Sequence, residues 1–373
     1  MLKILFAGGG TGGHIYPIIA VTEQLRALSL NKGIDLDLRY FGTAGAFKEA
    51  LSANGIFVSH IFSAKLRRYF DVRNFLDIFI FFTSLFQALW KVFWFMPDVL
   101  FSKGGPGALA IVLVARFYKI PVIIHESDSI PGLTNLLSAG FSDKIGISFA
   151  SSAQRFKSEF AKKIALVGNP VRNSLISNNK ERGTVNKNPL ILVIGGSQGA
   201  EKINDFILTV AEELMKDFQI IHQTGIKNFN SVKSELDILL EYYPEEQKTR
   251  YKIVPYFEEN LKDAYAAADI VISRAGSGSI FEIAAFGKPA ILIPIPENIV
   301  GRHQIVNAYE YAETGAAIVI EQDNLAPHIF LSQLKKIFSE PEKLKTMSEA
   351  AKKFFKPKAA ETIAEEIIIL GSK

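Results

Sequence analysis

The chain begins with a short apolar run that leads into a cluster of glycines and a histidine, MLKILFAGGGTGGHIYP. Gly8, Gly10 and Gly13 have the spacing G-x-G-x-x-G. Glycine lets the backbone approach a pyrophosphate at a helix N-terminus, so this pattern indicates a phosphate-binding loop. His14 follows at the start of the helix, where a neutral imidazole beside anion-binding N–H groups can act as a general base. A histidine that caps or packs the helix is the alternative.

A dinucleotide site would also need an acidic residue at the end of the second strand, to hold a ribose hydroxyl. The next strand is LDLRYFGTAG, which ends in Phe41, Gly42 and Thr43, while Asp37 lies at its start. An NAD(P)-dependent oxidoreductase is therefore a weakened hypothesis. A tight turn without a ligand also explains the loop poorly, because five glycines among residues 8–13 are more than a turn requires.

The stretch SRAGSGSIFEIAAFGKPAILIPIP, residues 273–296, predicts a second phosphate-binding loop. DIVIS is a strand, residues 276–278 form a loop, and a helix runs from Ser279 to Phe286 before Gly287 ends it. The junction of loop and helix offers free N–H groups to a phosphate. Glu282 lies about one turn into the helix, where a carboxylate can accept both hydroxyls of a ribose. A carboxylate that only favours the helix dipole is the alternative.

A glutamine further along the chain is a candidate for reading sugar hydroxyls. Gly301, Arg302, His303 and Gln304 precede a helix that we expect to begin near Ile305. The amide of Gln304 can both donate to and accept from a hydroxyl. The alternative is a solvated residue in the first turn of the helix.

The elements that position these residues are strands alternating with helix-length segments. Apolar runs predict nine buried strands: LKILFA, LDLRYFG, DVLFSKGG and PVIIHES in the first half, and LILVIGG, FQIIHQTG, YKIVPYF, DIVISRAG and PAILIPI in the second. Such alternation predicts parallel sheets built from βαβ units. Each half begins with a strand, a glycine loop and a helix. We therefore predict an α/β protein of two Rossmann-like domains facing a cleft.

The domain boundaries follow from composition. The polar stretch 173–189, NSLISNNKERGTVNKNP, is the candidate linker. We predict an N-terminal domain over 1–170, a C-terminal domain over 171–345, and a C-terminal helix over 346–373 that packs back on the N-terminal domain.

Composition excludes several classes of protein. The 373 residues are 48% hydrophobic, which supports a large core, and they include no cysteine, which excludes disulfides and thiolate metal sites. A formal charge of +4 does not suggest nucleic acid as a partner but suits an anionic membrane surface. The run LKILFA is too short for a signal peptide and is better explained as a buried strand. The sequence shows no evident cluster of metal ligands and its histidines are scattered, so we expect no metal.

The most apolar segment is LRRYFDVRNFLDIFIFFTSLFQALWKVFWFMPDVL, residues 66–100. Its uninterrupted apolar window, between Asp77 and Lys91, is too short to span a bilayer. One interpretation is a half-buried helix. The other is a helix that lies in the membrane interface, with basic residues near the headgroups. The residues expected to face the membrane are Phe75, Phe79, Phe82, Phe86 and Trp90.

Taken together, these motifs resemble those of the MurG family. The segments GGGTGGHIYP, IIHES, GLTN, GNPVR, GGSQGA, SRAGSGSIFEIAAFGKPAILIP and RHQ occur in the family's order and spacing, from residue 1 to about residue 325. The family consists of the UDP-N-acetylglucosamine:N-acetylmuramyl-(pentapeptide) pyrophosphoryl-undecaprenol N-acetylglucosamine transferases of peptidoglycan synthesis. The resemblance implies a GT-B glycosyltransferase, in which the C-terminal domain holds most of the donor UDP-GlcNAc.

The resemblance also implies roles for individual residues. Ser197 would contact the donor phosphates, Phe257 would contact uracil through its backbone, and Glu282 would hold the ribose. His14 is the first candidate for the general base, and Glu126 and Asp128 are the second. The full set implied for donor binding is Thr11, Gly12, Gly13, Asp128, Arg172, Ser197, Asn204, Phe257, Arg274, Ser277, Gly278, Ser279, Glu282 and Gln304. His125 and Glu126 would lie at the cleft.

Two positions depart from the family pattern. Many members have HEQN where this chain has His125, Glu126, Ser127 and Asp128. An ionised carboxylate repels phosphate, so Asp128 either accepts from a sugar hydroxyl or makes no donor contact. The second departure is in SKGGPGALA, where Pro106 replaces an aromatic residue.

The implied reaction is an inverting transfer of GlcNAc to the 4-hydroxyl of MurNAc in lipid I, which forms lipid II without a metal or other cofactor. The implied location is peripheral, on the cytoplasmic face of the bacterial inner membrane. The implied setting is cell-wall synthesis, cell shape and cell division, with protein partners of the wall-synthesis machinery. The alternatives are a transferase that acts on another lipid such as diacylglycerol, and a non-catalytic sensor of nucleotide sugars.

Overall fold

A computed structural model describes residues 1–63, 73–176, 188–196, 199–257 and 260–373, except for the side chains of 73–76 and 300. These residues form two compact units. The first comprises Met1–Asn173 together with Lys356–Lys373, and the second comprises Ser174–Phe355. Most of the predicted linker, residues 177–187, lies outside the described residues.

Each unit contains one parallel β-sheet. In the first unit seven strands lie in the order β3-β2-β1-β4-β5-β6-β7, and in the second six lie in the order β10-β9-β8-β11-β12-β13. The strands are β1 (Leu2–Gly8), β2 (Leu36–Gly42), β3 (Phe57–Ser59), β4 (Val99–Ser102), β5 (Val122–Glu126), β6 (Lys144–Ile147), β7 (Ile164–Leu166), β8 (Leu190–Ile194), β9 (Gln219–Gln223), β10 (Tyr251–Val254), β11 (Ile270–Ser273), β12 (Ala290–Leu292) and β13 (Ala317–Val319).

Helices connect the strands. They are α1 (Gly12–Lys32), α2 (Lys48–Ala53), α3 (Arg73–Phe95), α4 (Ala108–Phe117), α5 (Leu133–Ser138), α6 (Asn173–Ile176), α7 (Glu201–Thr209), α8 (Ala211–Asp217), α9 (Phe229–Leu240), α10 (Glu245–Lys248), α11 (Leu261–Ala267), α12 (Ser277–Ala285), α13 (Glu297–Val300), α14 (His303–Glu313), α15 (Pro327–Ser339), α16 (Pro341–Phe354) and α17 (Ala359–Gly371).

The two strand orders confirm the predicted pair of Rossmann-like folds. In both sheets the first strand along the chain is central, and the order reverses beside it. The reversal falls between β1 and β4 in the first unit and between β8 and β11 in the second. Since all strands are parallel, the loops that follow them emerge at the same edge of each sheet. The loops at 8–13 and 103–107 therefore flank one crevice, and the ends of β8 and β11 flank the other.

Apolar strands buried on both faces hold each unit together. In the first unit Ile4 and Phe6 of β1 point to one side and Leu5 and Ala7 to the other, and all four are fully buried. Each completely buried Ile, Leu or Phe contributes about 1.5–3 kcal/mol. The core of the second unit is built in the same way around β8, where Ile191 and Val193 belong to its largest apolar cluster.

All nine predicted strands are present, and four short ones were missed. β3, β6, β7 and β13 contain only three or four residues each, and β3, β7 and β13 are partly exposed. Segments of that length do not establish a period, so composition does not distinguish them from loops.

The C-terminal segment contains two helices where one was expected. α16 ends at Phe354, and α17 begins at Ala359 after a break that contains Pro357. Proline has no N–H and restricts the residue before it, so a helix does not continue through this position without a kink. α16 belongs to the second unit, whereas α17 belongs to the first, where Ile363, Ala364 and Ile367 pack into the core around β1.

The long apolar helix α3 corrects the expectation that the segment is too short to cross a bilayer. Its part from Asp77 to Phe95 contains 19 residues with a mean hydropathy of 1.6. By length and composition alone, this part could cross a bilayer. Lys91 does not interrupt the run, because its ammonium turns to Ser59 Oγ and the His60 carbonyl, both at 2.7 Å. One face of α3 nevertheless packs on the first unit, where Ala88, Val92 and Phe95 are buried.

Candidate functional site

The first glycine loop connects β1 to α1 and places His14 in the first turn of the helix. Gly12 and Gly13 are the first two residues of α1, and the N–H of His14 donates to the Thr11 carbonyl at 3.0 Å. The imidazole is half-buried, and its Nδ1 lies 2.8 Å from Thr11 Oγ1. The side chain therefore has a fixed partner for one ring nitrogen and leaves Nε2 for another role.

The glycines on both sides of His14 allow the backbone to approach the ring. A Cβ on Gly105, whose φ is +85°, would lie 2.9 Å from His14 Nε2, and a Cβ on Gly9 would lie 3.0 Å from Nδ1. The first distance is shorter than real Cβ atoms show, and the second is tighter than nearly all Cβ contacts. The imidazole is thus held between the loop after β1 and the loop after β4.

The electrostatic surroundings keep His14 neutral. Partial burial of the ring, and secondly the charge of Lys103, lower the pKa of His14 from 6.5 to about 4. A neutral imidazole at physiological pH is the form that can accept a proton. The geometry therefore supports a general base more than a helix cap, since Thr11 occupies the cap position of α1 without a side-chain capping bond.

The end of β2 lacks the feature that a dinucleotide requires. Gly10 packs so closely on this end that a Cβ would lie 2.6 Å from the Thr43 carbonyl oxygen. No acidic residue lies at this end of β2, where an NAD-binding protein has a carboxylate. The structure gives no support to the oxidoreductase hypothesis.

His125, which was expected at the cleft, is fully buried at the end of β5. Its Nε2 lies 2.9 Å from the Gly168 carbonyl oxygen, which can only accept, so Nε2 carries the proton. Its Nδ1 accepts from the Lys103 ammonium. Burial and the Lys103 charge lower the pKa of His125 well below its ordinary value.

Glu126 is also buried, and its carboxylate organises the loop that follows β5. One oxygen accepts from the N–H of Asp128 at 2.9 Å. The other accepts from the N–H of Gly132 at 3.0 Å and the amide of Asn135 at 2.8 Å. Burial raises the pKa of Glu126. Three donors leave little capacity for a substrate proton, so this bonding favours His14 over Glu126 as the base.

The remaining predicted residues of the first unit are Asp128 and Arg172. Asp128 is half-buried, and its charge acts on both Glu126 and Lys103. The guanidinium carbon of Arg172 lies 4.4 Å from the centre of the Tyr16 ring, a cation–π contact that ties the GNPVR segment to α1.

In the second unit the helix α12 presents the predicted anion site. The helix begins at Ser277, two residues earlier than expected, with Gly276 as its N-cap. Ser277, Gly278 and Ser279 form the first turn, where backbone N–H groups have no partner within the helix. The buried hydroxyl of Ser277 has no hydrogen-bond partner among the described residues. Free donors and the positive end of a helix dipole meet here.

Glu282 lies one turn further along α12. Its carboxylate is half-buried and accepts from the Tyr265 hydroxyl at 3.2 Å. The Tyr265 ring stacks on Phe286 with a centroid distance of 4.9 Å, which fixes the phenol. The Tyr265 hydroxyl therefore helps to orient the Glu282 carboxylate.

The loop after β8 carries the other part of the predicted donor site, and one predicted residue of this loop, Ser197, lies outside the described residues. Gln223, which sequence analysis missed, links this loop to another. Its amide nitrogen donates to the Gly196 carbonyl at 3.0 Å, and its amide oxygen accepts from the N–H of Phe257 at 3.3 Å. The N–H of Phe257 is thus already engaged.

Asn204 supports the same region from below rather than facing a ligand. It is 1% exposed. Its amide nitrogen donates to the Thr224 carbonyl at 2.9 Å, and its oxygen pairs with His222 Nε2 at 3.0 Å. Burial lowers the pKa of His222 to about 3, so this histidine is neutral and donates through Nε2. Tyr251 completes the chain, 2.8 Å from His222 Nδ1.

Arg274 and Gln304 brace the segment after β12. Arg274 donates to the carbonyls of Ile293 and Pro294 at 3.1 and 3.3 Å, and to Gln322 at 2.8 Å. Burial lowers the pKa of Arg274 to about 10, so it remains charged. Gln304 lies in the first turn of α14, which begins at His303 rather than near Ile305, and its oxygen accepts from the Ile295 N–H at 3.2 Å.

The outer face of α3 is a stripe of large apolar side chains. Phe86 is 69% exposed and Trp90 is 67% exposed, and Phe79 and Phe82 are more than half exposed. The side chain of Phe75 lies outside the described residues. Phe93 and Trp94 extend the stripe, with Trp94 packed edge-on against Trp90. Such a contiguous exposed apolar surface is unusual on a protein that contacts only water.

Comparisons with known proteins agree with the fold. Residues 4–147 match the glycosyltransferase family 28 N-terminal domain, and residues 190–363 match the glycosyltransferase family 28 C-terminal domain. The chain is 35% identical over 356 residues, 94% of each chain, to the UDP-N-acetylglucosamine--N-acetylmuramyl-(pentapeptide) pyrophosphoryl-undecaprenol N-acetylglucosamine transferase of Clostridium tetani. It is 39% identical to the enzyme of that name from Clostridium botulinum, over 87% of this chain and 86% of the relative.

Two solved structures show the same fold. A crystal structure of Acinetobacter baumannii MurG aligns with a TM-score of 0.76 and 24% identity, over 98% of this chain and 99% of that one. A UDP-GlcNAc 2-epimerase from Neisseria meningitidis bound to UDP-GlcNAc aligns with a TM-score of 0.68 and 16% identity, over 99% and 100% of the two chains. At these identities the likeness concerns the fold.

Proposed function

Because the chain belongs to the MurG family of glycosyltransferase family 28, we propose that it transfers GlcNAc from UDP-GlcNAc to lipid I. The acceptor is the 4-hydroxyl of MurNAc in undecaprenyl-pyrophosphoryl-MurNAc-pentapeptide, and the product is lipid II for peptidoglycan. The relatives of 34–39% identity carry this activity in their names. The second unit would hold the donor, and the first would hold the acceptor.

The observation that carries the donor half of the proposal is the N-terminus of α12. It combines free backbone N–H groups, the unpartnered hydroxyl of Ser277 and, one turn later, the carboxylate of Glu282. A UDP group needs donors for its phosphates and an acceptor for its ribose hydroxyls, in that order along the molecule. As the sugar–phosphate bond breaks, the helix N-terminus stabilises the negative charge that develops on UDP.

In the transfer itself, the acceptor 4-oxygen forms a bond to the anomeric carbon while the bond from that carbon to the β-phosphate oxygen breaks. The electron pair leaves with UDP, and attack from the opposite face inverts the α linkage to β. His14 takes the hydroxyl proton at Nε2. Its neutral state and its position in the first glycine loop support this assignment. The donors on α12 supply the charge stabilisation, and no metal is required.

The same proposal includes a peripheral location on the cytoplasmic face of the bacterial inner membrane. Lipid I is anchored in the bilayer, so an enzyme that acts on its sugar has to work at the membrane surface. The exposed stripe on α3, with Phe79, Phe82, Phe86 and Trp90, supports an interfacial helix whose other face is buried in the first unit. The formal charge of +4 suits anionic lipids.

The test is UDP release by the purified full chain, with and without a lipid I analogue. UDP-GlcNAc, UDP-glucose and UDP-GalNAc are offered in turn, and each assay is repeated with EDTA. The expected result is turnover that requires the acceptor and persists in EDTA. It should occur with UDP-GlcNAc but not with UDP-glucose or UDP-GalNAc. Absence of turnover in a protein that still binds UDP would overturn lipid I as the acceptor. An assay with diacylglycerol would then distinguish a transferase for another lipid from a non-catalytic sensor.

A further inference from the structure

Lys103 is a buried charged residue that the proposed chemistry leaves without a role. It follows β4 directly and is 3% exposed. Its backbone N–H donates to the Ala7 carbonyl at 2.8 Å, which continues the pairing of β4 with β1 beyond the strand end. This bond fixes Lys103 beside the first glycine loop. Burying an ammonium is costly, so a lysine at such a position needs an explanation.

The ammonium of Lys103 is held by neutral groups. Its Nζ lies 2.5 Å from His125 Nδ1 and 2.5 Å from Ser127 Oγ, and 3.4 Å from Asn169 Oδ1. No carboxylate lies within 4.0 Å of Nζ in the described part of the chain, since the ion pairs found there do not include Lys103. The three acceptors belong to the end of β5, the loop after it, and the turn after β7. One side chain therefore joins three loops at the same edge of the sheet.

The chain of bonds through His125 has a defined direction. Nε2 of His125 donates to the Gly168 carbonyl, so Nδ1 presents its lone pair to Lys103. If His125 were protonated, its Nδ1 would carry a proton and could not accept a hydrogen bond from the Lys103 ammonium. The arrangement thus requires a neutral His125 and a donor at position 103. Methionine has the length of lysine but does not donate.

Lys103 also lies next to His14. A Cβ on Gly8 would lie 3.5 Å from His14 Cβ and 3.6 Å from Lys103 Cβ, so the two side chains leave the backbone on either side of this glycine. The charge of Lys103 opposes protonation of His14. Burial lowers the pKa of Lys103, while Glu126 and Asp128 favour its charged form. The titratable groups around the pair are His125, Glu126, Asp128 and, from β2, Tyr40, whose hydroxyl donates to the Gly8 carbonyl at 2.7 Å.

We propose that Lys103 is a positioning residue of the transfer reaction, which ties the loops after β4, β5 and β7 together and holds a cationic group beside His14. Lys103 acts through its neighbours and does not touch the substrate. It fixes the loop after β4, against which the imidazole lies. Its charge disfavours protonation of His14 before the acceptor binds. The inference deepens the proposed function and relies on it for the identity of the reaction.

The experiment follows the six histidines of the full chain by NMR after ¹³C and ¹⁵N labelling, in a titration from about pH 3.5 to about pH 8 without substrate. The variants are Lys103→Met, Lys103→Arg and a control, Lys163→Met. Lys163 donates to the Ser142 carbonyl at 2.6 Å in the same unit, away from the glycine loop. The His14 resonance is assigned by its loss in His14→Gln.

In Lys103→Met the midpoint of His14 is expected to move upward from about 4 toward the ordinary 6.5, because burial remains and the charge is gone. Lys103→Arg, which keeps the charge, and Lys163→Met are expected to leave that midpoint unchanged. The pH at which kcat/KM falls on the acid side should move in parallel with the His14 midpoint. A merely structural lysine would lower the Tm and leave both midpoints where they are.

An unchanged His14 midpoint in folded Lys103→Met would overturn the inference. If that variant does not fold, Lys103→Gln retains a neutral donor toward His125 and gives the same two outcomes for His14. Because the titration uses no substrate, its result is independent of the transfer assay. Failure of the wild-type chain to transfer GlcNAc would overturn the proposed function, whereas only the His14 midpoint decides the role of Lys103.

Discussion

The hydroxyl oxygen of Thr11 lies 2.8 Å from Nδ1 of His14. If Nδ1 carries the imidazole proton and donates to Thr11, the lone pair of the ring is on Nε2, which is the atom needed for a base. Thr11 makes no side-chain cap of α1, so its hydroxyl is available to select this tautomer. The pair therefore has the orientation that a general base requires.

Thr11→Val should reduce kcat without unfolding the protein. The substitution keeps the shape of the side chain and removes the acceptor for Nδ1–H, so the ring loses its preferred tautomer. We expect a decrease of about tenfold, the effect of a hydrogen bond worth roughly 1–1.5 kcal/mol. The control is Thr209→Val, in which a threonine that bonds only the Asp205 carbonyl is replaced. Equal kcat values for Thr11→Val and wild type would contradict the assignment.

His14→Gln should lower kcat by about 10²–10⁴-fold, the usual contribution of a general base, while the affinity for UDP stays within about twofold. The pH dependence has a defined sign. The pKa of His14 is lowered to about 4, so the base is neutral above that pH and loses activity only as the pH falls through it. Steady-state assays of kcat/KM between about pH 3.5 and pH 7 measure this loss of activity at acidic pH. An acid limb near 6.5 would show that another group is the base.

Glu282→Gln should weaken binding of UDP by about tenfold to a hundredfold, because a hydrogen bond to a charged acceptor contributes roughly 1.5–3 kcal/mol. The decisive comparison is between UDP and 2′-deoxy-UDP in calorimetry. Wild type should prefer UDP, and the variant should lose most of that preference. Tyr265→Phe removes only the hydroxyl that orients Glu282 and should have a smaller effect in the same direction. If Glu282→Gln retains the full preference for UDP over 2′-deoxy-UDP, the Glu282 carboxylate does not belong to the ribose site.

Gln223→Met should raise the Kd for UDP by about tenfold without changing the KM for the lipid acceptor. The variant keeps the length of the side chain and loses both bonds that join the loop at Gly196 to the loop at Phe257. Two hydrogen bonds of roughly 1 kcal/mol each set the upper limit of the effect. Gln219→Met, on the exposed start of the same strand, is the matched control. A loss of acceptor affinity instead would show that Gln223 does not serve the donor loops.

Replacement of Phe86 and Trp90 by serine should weaken binding to anionic vesicles by about tenfold or more while UDP binding is retained. Each large aromatic side chain that leaves the membrane costs about 1.5–3 kcal/mol when it was fully buried there. A matched control replaces Ile238 and Tyr242, which are equally exposed on α9 and just beyond it in the second unit. Vesicle co-sedimentation measures the effect. Undiminished binding would place the membrane contact elsewhere.

The sequence by itself determined the class of fold and the parts of the site that are local in the chain. Nine apolar runs of the right length predicted nine strands, and each glycine loop predicted a helix N-terminus directly after it. His14 and Glu282 are accessible to such reasoning because each lies on the same loop or helix as the backbone that positions it. A continuous stretch of residues sets the geometry in both cases.

Only the tertiary structure decided which residues act across loops. Lys103 meets His125 and Asn169, which are 22 and 66 residues away, and Gln223 meets Gly196 and Phe257, which are 27 and 34 residues away. Strand order and parallel register bring these ends together, and neither leaves a pattern in the residues themselves. Strand pairing also buried His125, whereas local bonds within the loop after β5 engaged both oxygens of Glu126. Sequence analysis had placed both residues at the cleft. Motifs identify which chemistry is available, while long-range pairing of strands decides which side chains are free to perform it.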